Sequence, residues 1–411
     1  MKIVLMTCGS RGDVQPMIAL TLAIKAAGHD ALLAGPPEKA TWADHLGCPY
    51  VPLGSDLTAF TDTLDGVQAP LDVLRLNRQF RGEVNAQFKT IPEIIGGADL
   101  VVGSSAIFAL SSIAEHKKIT YRYIAFTPQL LPSAHHPHPA FRRQGMPAWW
   151  NRAGWHLVRV LDRFNFGALV NVHRRRLGLA PLKNFQRHIL GPSVIVASDQ
   201  SIAPIAPDVT QSAVQTGYLH LTQPKKTLPA LDQFLAGGPS PVYCGFGSMP
   251  IKDQVRLVPS IVKAIRRAGQ RMVLARFWDD PLPVDAANDL FYIRKYPHLD
   301  LFPRMAAIIH HGGAGTTATA AVSGVPQIIV PHTLDQFFWG YRIWKAGVGP
   351  KPIPRSHLTS NRLAAAVDRC LKTPRYRQHA GRIALAIQRQ DSLSEAVDAL
   401  VNGLWIGTRR R

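Results

Sequence analysis

Ile3-Val4-Leu5-Met6-Thr7-Cys8-Gly9-Ser10-Arg11-Gly12-Asp13-Val14-Gln15-Pro16 decides the fold of this chain. The run Ile3 to Thr7 reads as a short buried strand, Gly9 to Gly12 as a turn, and Pro16 to Ala27 as a helix that stops at Gly28. A strand, a tight turn and a helix in that order open a parallel sheet. The alternation continues with Asp30 to Ala34 as strand, Pro37 to Leu46 as helix, Tyr50 to Leu53 as strand, Asp99 to Gly103 as strand and Ile107 to His116 as helix. Continuous apolar strands in βαβ succession predict a doubly wound α/β sheet.

A second series follows Thr222-Gln223-Pro224-Lys225-Lys226, with Pro241 to Cys244 as strand, Ile251 to Ala268 as helix and Arg271 to Ala275 as strand. Leu290 to Ile293, Ala306 to His310 and Val325 to Val330 are further strands. Two consecutive α/β units predict an N-terminal domain over 1–218, a linker over 219–236 and a C-terminal domain over 237–390. Residues 391–411 read as a C-terminal helix with a basic end, returning to the first domain.

The 411 residues are 18% charged and 46% hydrophobic, which excludes disorder as the main condition of the chain. Its formal charge is +20, so an anionic partner is to be sought. Seventeen Lys and Arg stand against five acids between Arg75 and Arg187, a surplus of +12 in the first domain. Four scattered cysteines offer no disulfide framework and no C-x-x-C site, which predicts a reducing, cytoplasmic setting. The N-terminal apolar run is shorter than a secretory signal requires, and the apolar stretch Leu100 to Ala114 is shorter than a membrane span.

Three local patterns carry chemistry. In Ile309-His310-His311-Gly312-Gly313-Ala314-Gly315-Thr316-Thr317 a buried strand runs through glycines into a small-residue helix. Glycines let a ligand approach the backbone, and the first N–H groups of a helix attract phosphate. Tight turning with buried structural histidines is the bland alternative. In His332-Thr333-Leu334-Asp335-Gln336 an acid and an amide stand side by side at a strand's carboxyl end, a pattern suited to sugar hydroxyls, or else a helix N-cap. Asp13, at the first strand-to-helix turn, is either an N-cap or a general base at the edge of a cleft.

Taken together, and with Gly245-Phe246-Gly247-Ser248-Met249, Ala275-Arg276-Phe277-Trp278, Pro297-His298 and Gly324-Val325-Pro326, these patterns resemble the GT-B glycosyltransferases. Within them the chain is similar to the branch of sterol 3-beta-glucosyltransferases and glycopeptide-antibiotic glycosyltransferases. The resemblance implies two Rossmann-like domains facing a cleft, with acceptor held by the first and nucleotide sugar by the second. It implies Asp13 as catalytic base, with Ser10, Arg11 and Gly12 in its loop at the donor phosphates. Ser248 would sit by the diphosphate, Arg276 and Trp278 at the nucleobase, and His298 in the loop bordering that base. His311, Gly313, Ala314, Gly315 and Thr316 would hold the diphosphate, and Asp335 and Gln336 the sugar.

The implied reaction is an inverting transfer of a hexose, glucose from UDP-glucose by default, to a hydroxyl of a lipophilic acceptor. A dTDP-deoxysugar moved to a peptide or macrolide scaffold is the alternative, and a noncatalytic nucleotide-sugar or anionic-surface binder a further one. No two aspartates stand two residues apart, so the metal-chelating Asp-x-Asp of the other glycosyltransferase architecture is absent, and no metal or cofactor is expected.

Trp149 to Phe164 interleaves tryptophans, cations and helix-period apolar residues. It reads either as an interfacial helix at the inner face of an anionic membrane or as an amphipathic cover over the acceptor pocket. No helix-turn-helix, zinc or RNA motif accompanies the charge, so nucleic acid is not an expected partner. His135-His136-Pro137-His138 reads as a solvated loop, its proline denying it fixed metal-ligand geometry.

Overall fold

A computed structural model describes residues 1–54, 70–247, 254–275, 288–294 and 296–403. Two parallel sheets organise them. The first takes strands β1 (Lys2–Met6), β2 (Asp30–Gly35), β3 (Tyr50–Pro52), β4 (Leu100–Ser104), β5 (Thr120–Ala125), β6 (Ser193–Val196) and β7 (Ser212–Gln215) in the order β3-β2-β1-β4-β5-β6-β7. The second takes β8 (Val242–Gly245), β9 (Met272–Ala275), β10 (Leu290–Ile293), β11 (Ala307–His310) and β12 (Gln327–Ile329) in the order β10-β9-β8-β11-β12. Val4 pairs with Leu32 on one side and Val101 on the other, and β1 is buried on both faces, Val4 and Met6 in one core and Ile3 and Leu5 in another, as its unbroken apolar run requires.

In each sheet the strand order reverses once, between β1 and β4 and between β8 and β11. A doubly wound sheet opens a crevice at that reversal, beyond the carboxyl ends of the two strands. Asp13 and Ser105 follow β1 and β4; Gly247 and His311 follow β8 and β11. Topology alone therefore assembles the candidate chemistry at two facing crevices.

The first helix runs from Arg11 to Ala26, five residues earlier than the Pro16 start expected from sequence. A capping box sets the earlier start: the Ser10 hydroxyl caps the helix while the Asp13 carboxylate, at the third helical position, accepts from the Ser10 backbone. The helix buries Val14, Met17, Ile18, Leu20 and Ile24 against the sheet. Each such side chain is worth about 1.5–3 kcal/mol relative to exposure.

The last helix, Ser392–Val401, lays Ala396, Val397, Ala399 and Leu400 in the same core, so the C-terminal segment is part of the first domain's packing. Within 219–236, Leu219 and Leu221 belong to the first core, while Leu231 on helix Pro229–Ala236 belongs to the second. The crossing between domains lies between them. Ile202 and Ala203 of the first domain pack with Phe338, Trp339 and Ile343 of the second, and Arg342 donates two hydrogen bonds to the Ile202 carbonyl. No helix among the described residues is long and apolar enough to cross a membrane.

The histidine-rich loop departs from its sequence reading as solvated. His136 is buried, its ring edge-on to Trp155 and to Phe338 of the second domain, and burial lowers it to about 4. The loop is wedged between helices Ala148–Phe164 and Gln336–Lys345, where an imidazole face packs as an apolar surface.

Candidate active site

Asp13 is held by three donors. Its Oδ1 accepts from the Ser105 hydroxyl at 2.7 Å, and its Oδ2 from the Ser10 backbone N–H at 2.8 Å and the Ser10 hydroxyl at 3.1 Å. Burial pushes the carboxyl above its ordinary range, and these hydrogen bonds pull it back. Gly9, at a φ of +124°, has to be glycine, because a Cβ there would collide with the Asp13 carboxylate. Asp13 is not the N-cap, a place Ser10 takes; as the third helical residue it closes the capping box with one oxygen, while the other accepts from Ser105.

Ser105 escaped the sequence reading. It sits just past β4 at a φ of +53°, a left-handed conformation costly for a residue with a side chain. The available signal was Gly103-Ser104-Ser105, small polar residues at the end of a strand beside β1.

The two histidines at the end of β11 divide their roles. His310 is fully buried; its Nδ1 accepts from the Gly312 N–H at 3.1 Å, which leaves Nε2 as the donor to Gln327 Oε1 at 2.9 Å. It is a structural residue. His311 has a buried Nδ1 without a hydrogen-bond partner, and burial lowers it to about 4. Its ring lies between Gly247 and Gly313, since a Cβ at either position would press on the imidazole. The glycines that sequence reading reserved for a ligand therefore make room first for His311, and Gly312, at φ +90°, for the Ile329 side chain and the backbone of Gln336.

The helix that follows, Ala314–Val322, starts at Gly313 with no side-chain cap. Its first N–H groups, with His311 beside them, form an electropositive, uncharged cradle suited to phosphate. Gly315 abuts Tyr218: a Cβ there would lie 2.6 Å from the tyrosine hydroxyl. Tyr218, which no motif marked, is a first-domain residue reaching the start of this second-domain helix, and burial, with the charge of Asp13 adding to it, raises its phenol above the ordinary value.

His298 is half-buried, stacked on Phe302 at 4.4 Å between ring centroids, with its Nε2 3.1 Å from the Tyr243 hydroxyl. Burial lowers it to about 3, with the positive charge of Arg11 adding to the effect. Arg11 stacks over Trp42 at 5.1 Å and bonds Gln15 at 3.1 Å. His332 joins this group: both ring nitrogens are buried without partners, its ring lies 5.1 Å from Phe246, and burial lowers it to about 3.

Asp335 stands at the N-cap position of helix Gln336–Lys345, as the N-cap reading has it, but its side chain makes no capping hydrogen bond. Its Oδ2 instead accepts from the Trp339 indole at 3.1 Å, and burial, reinforced by the charge of Asp13, raises the carboxyl to about 7. Gln336 spends its Oε1 on the backbone N–H groups of His332 and Thr333, at 2.8 and 3.1 Å, and so locks the loop that presents Asp335. Ser248, Arg276 and Trp278 lie outside the described residues.

A testable consequence concerns Asp335. Its folded value near 7 lies above the ordinary 3.8, so its contribution to stability is complete below pH of about 4 and is lost as pH rises through 7. Asp335→Asn, which keeps an acceptor for Trp339, is expected to melt higher than the parent at pH 8, with the gap closing by pH 4. Circular-dichroism melts across that range check it; a gap independent of pH would contradict it.

The geometry brings residues of both domains to one cleft, and comparison with known proteins agrees with it. Residues 3–135 match the glycosyltransferase family 28 N-terminal domain, and 287–402 the erythromycin biosynthesis protein CIII-like C-terminal domain. Vancomycin aglycone glucosyltransferase of Amycolatopsis orientalis is 35% identical over 380 residues, 89% of this chain and 90% of that one. A sterol 3-beta-glucosyltransferase of Arabidopsis thaliana is 28% identical, covering 97% of this chain and 67% of that one. Among solved structures, the glycosyltransferase VinC in complex with dTDP superposes with a TM-score of 0.72 at 19% identity, over 99% of this chain and 100% of that one. With a first domain of the family 28 type, a second of the erythromycin CIII type and two crevices facing one another, the chain belongs to the GT-B glycosyltransferases, in the branch shared by glycopeptide-antibiotic and sterol enzymes.

Proposed function

We propose that this glycosyltransferase moves a hexose, glucose by default, from a uridine diphosphate sugar to a hydroxyl of a lipophilic acceptor, with inversion and without a metal. The observation that carries the reading is that the two domains meet where the candidate chemistry stands: Tyr218 of the first abuts Gly315 in the first turn of helix Ala314–Val322 of the second. Asp13, held by Ser10 and Ser105, then stands on one side of a space for the sugar and Asp335 on the other, a base and a hydroxyl acceptor.

In that space the acceptor oxygen attacks the anomeric carbon as its proton passes to Asp13 Oδ1 or Oδ2, while the bond from that carbon to the diphosphate oxygen breaks. The leaving diphosphate gathers negative charge at the N-terminus of Ala314–Val322, where backbone N–H groups, His311 and Thr316 stabilise it. A carboxylate is a weak base, so proton transfer comes late, after the leaving group has begun to depart. The raised affinity of Asp13 for a proton narrows that mismatch.

A lipophilic acceptor is supported by the aromatic cluster beside Ser105. Phe108 packs edge-on to Phe166 and Phe185 at 5.3 Å each, and Phe80 adds a further ring to Phe166 at 6.1 Å. Phe80, Phe108 and Phe166 are half-exposed. The sequence similarity favours a second reading, transfer of a deoxysugar from a dTDP donor: dTDP-epi-vancosaminyltransferase of Amycolatopsis orientalis is 33% identical over 382 residues.

Thermal shift with UDP, dTDP and their sugars, followed by mass spectrometry of products from sterol, polyketide and glycopeptide-aglycone acceptors, tests both. Stabilisation by UDP-glucose with hexose added to a lipophilic alcohol supports the first; stabilisation by dTDP-sugars alone, with transfer to a peptide scaffold, replaces it with the second.

A further inference from the structure

Helix Ala148–Phe164 resolves the two sequence readings of its Trp-rich segment in an unexpected way. It packs inward with Asn151 and Trp155, the indole donating to the His136 carbonyl at 3.0 Å. Most of its large apolar residues nevertheless face outward: Trp149 is 65% exposed, Phe164 74%, Leu161 58%, and Trp150, Leu157 and Val160 are exposed as well. Six of the eleven large hydrophobic residues exposed among the described ones therefore stand on one helix. At about 100° per residue they fall within an arc of about 120°, one continuous stripe.

Beside that stripe, on the same helical wheel, Arg152, Arg159 and Arg163 form a cationic flank with His156 among them, all exposed. Arg152, His156 and Arg159 line an open cavity of about 500 Å³ together with Ser133, Gln186 and Asp208. Asp208 is the one acid lining it, and it is already engaged: Ser133 donates to it at 2.6 Å, the Ala134 N–H at 2.7 Å, and His135 lies 3.9 Å away. Arg159 donates to His156 at 2.7 Å, while Arg152 faces solvent.

We propose that helix Ala148–Phe164 docks the enzyme on a bilayer containing anionic phospholipid. The Trp149 to Phe164 stripe enters the interfacial zone, and Arg152 and Arg159 receive headgroup phosphate at the mouth of the cavity. Tryptophan is at home at headgroup depth, and an arginine fork matches phosphate oxygens. The charge complementarity selects this occupant over a second copy of the chain, since two such faces would bring their cationic flanks together. The inference stands on the surface of the first domain and is independent of donor and acceptor identity.

Flotation of the full-length protein with vesicles of phosphatidylcholine alone, or with phosphatidylglycerol added, tests it. Binding is expected on the anionic vesicles and to weaken as salt rises. Removing both arginines, Arg152→Gln with Arg159→Gln, should weaken it about 25-fold, near fivefold for each charge. The triple variant Trp149→Ser, Leu161→Ser, Phe164→Ser should abolish flotation and the accompanying blue shift of tryptophan emission. Both variants should retain the parent's melting temperature and its stabilisation by nucleoside diphosphate, which separates lost docking from lost folding or a wrong donor assignment. Equal binding to both vesicles, retained binding by the triple variant, or a parental dimer that the triple variant dissolves would overturn the proposal.

Discussion

Asp13→Asn is expected to lower the turnover number about 10³-fold while nucleotide affinity changes less than about threefold. The first figure is what a positioned general base contributes. The second follows from geometry: the amide keeps an acceptor for the Ser10 backbone, so the capping box and the loop survive. Folding is not expected to suffer either, because the parent carboxylate is charged in a site whose burial opposes the charge. A companion substitution separates base from scaffold. Ser105→Ala removes a 2.7 Å hydrogen bond to the ionised form, so the acid limb of the pH–turnover profile should move to higher pH. Asp13 acting only as a cap would leave both profiles where they are. Single-turnover kinetics and calorimetric nucleotide titration give the two numbers.

His311→Ala is expected to lower kcat/KM by about 10²-fold or more, the loss typical of removing a donor aimed at developing negative charge. Burial lowers the imidazole to about 4, so the ring is neutral at neutral pH, and its Nδ1 is unpartnered. A bound diphosphate favours the protonated ring and raises that value, so nucleotide binding near pH 6 should take up protons. Calorimetry in buffers of different ionisation enthalpy measures the uptake, and His311→Ala should reduce it. An uptake unchanged by the substitution would assign the proton to His332 or His298, whose values are similarly low. His310→Ala offers the contrast: its loss should show in thermal stability, since both of its nitrogens are already spent inside the protein.

The strands were legible because a buried parallel strand is an uninterrupted apolar run, and Ile3 to Met6 or Ile308 to His310 has no other plausible environment. The helix start at Arg11 was not, because Pro16 advertises a first turn while the actual start depends on a hydrogen bond between Ser10 and Asp13. The pattern around His310 and His311 announced a site but not which histidine serves it. That distinction rests on Gln327, seventeen residues away, which occupies one ring and leaves the other free. Ser105 and Tyr218 were invisible for the same reason: each matters through a neighbour that only the sheet order supplies.

The return of helix Ser392–Val401 to the first domain means that the chain crosses between domains twice. The two crossings run side by side, since Gly217, at φ +80°, has to be glycine to clear Ser392 and Gln390. Two bodies joined by paired straps at one place have little freedom to slide or twist past one another, and the packing of Ile202 and Ala203 on Phe338, Trp339 and Ile343 fixes them further. The register between Asp13 and Asp335 is therefore written into the covalent path of the backbone as well as into the contacts between the domains.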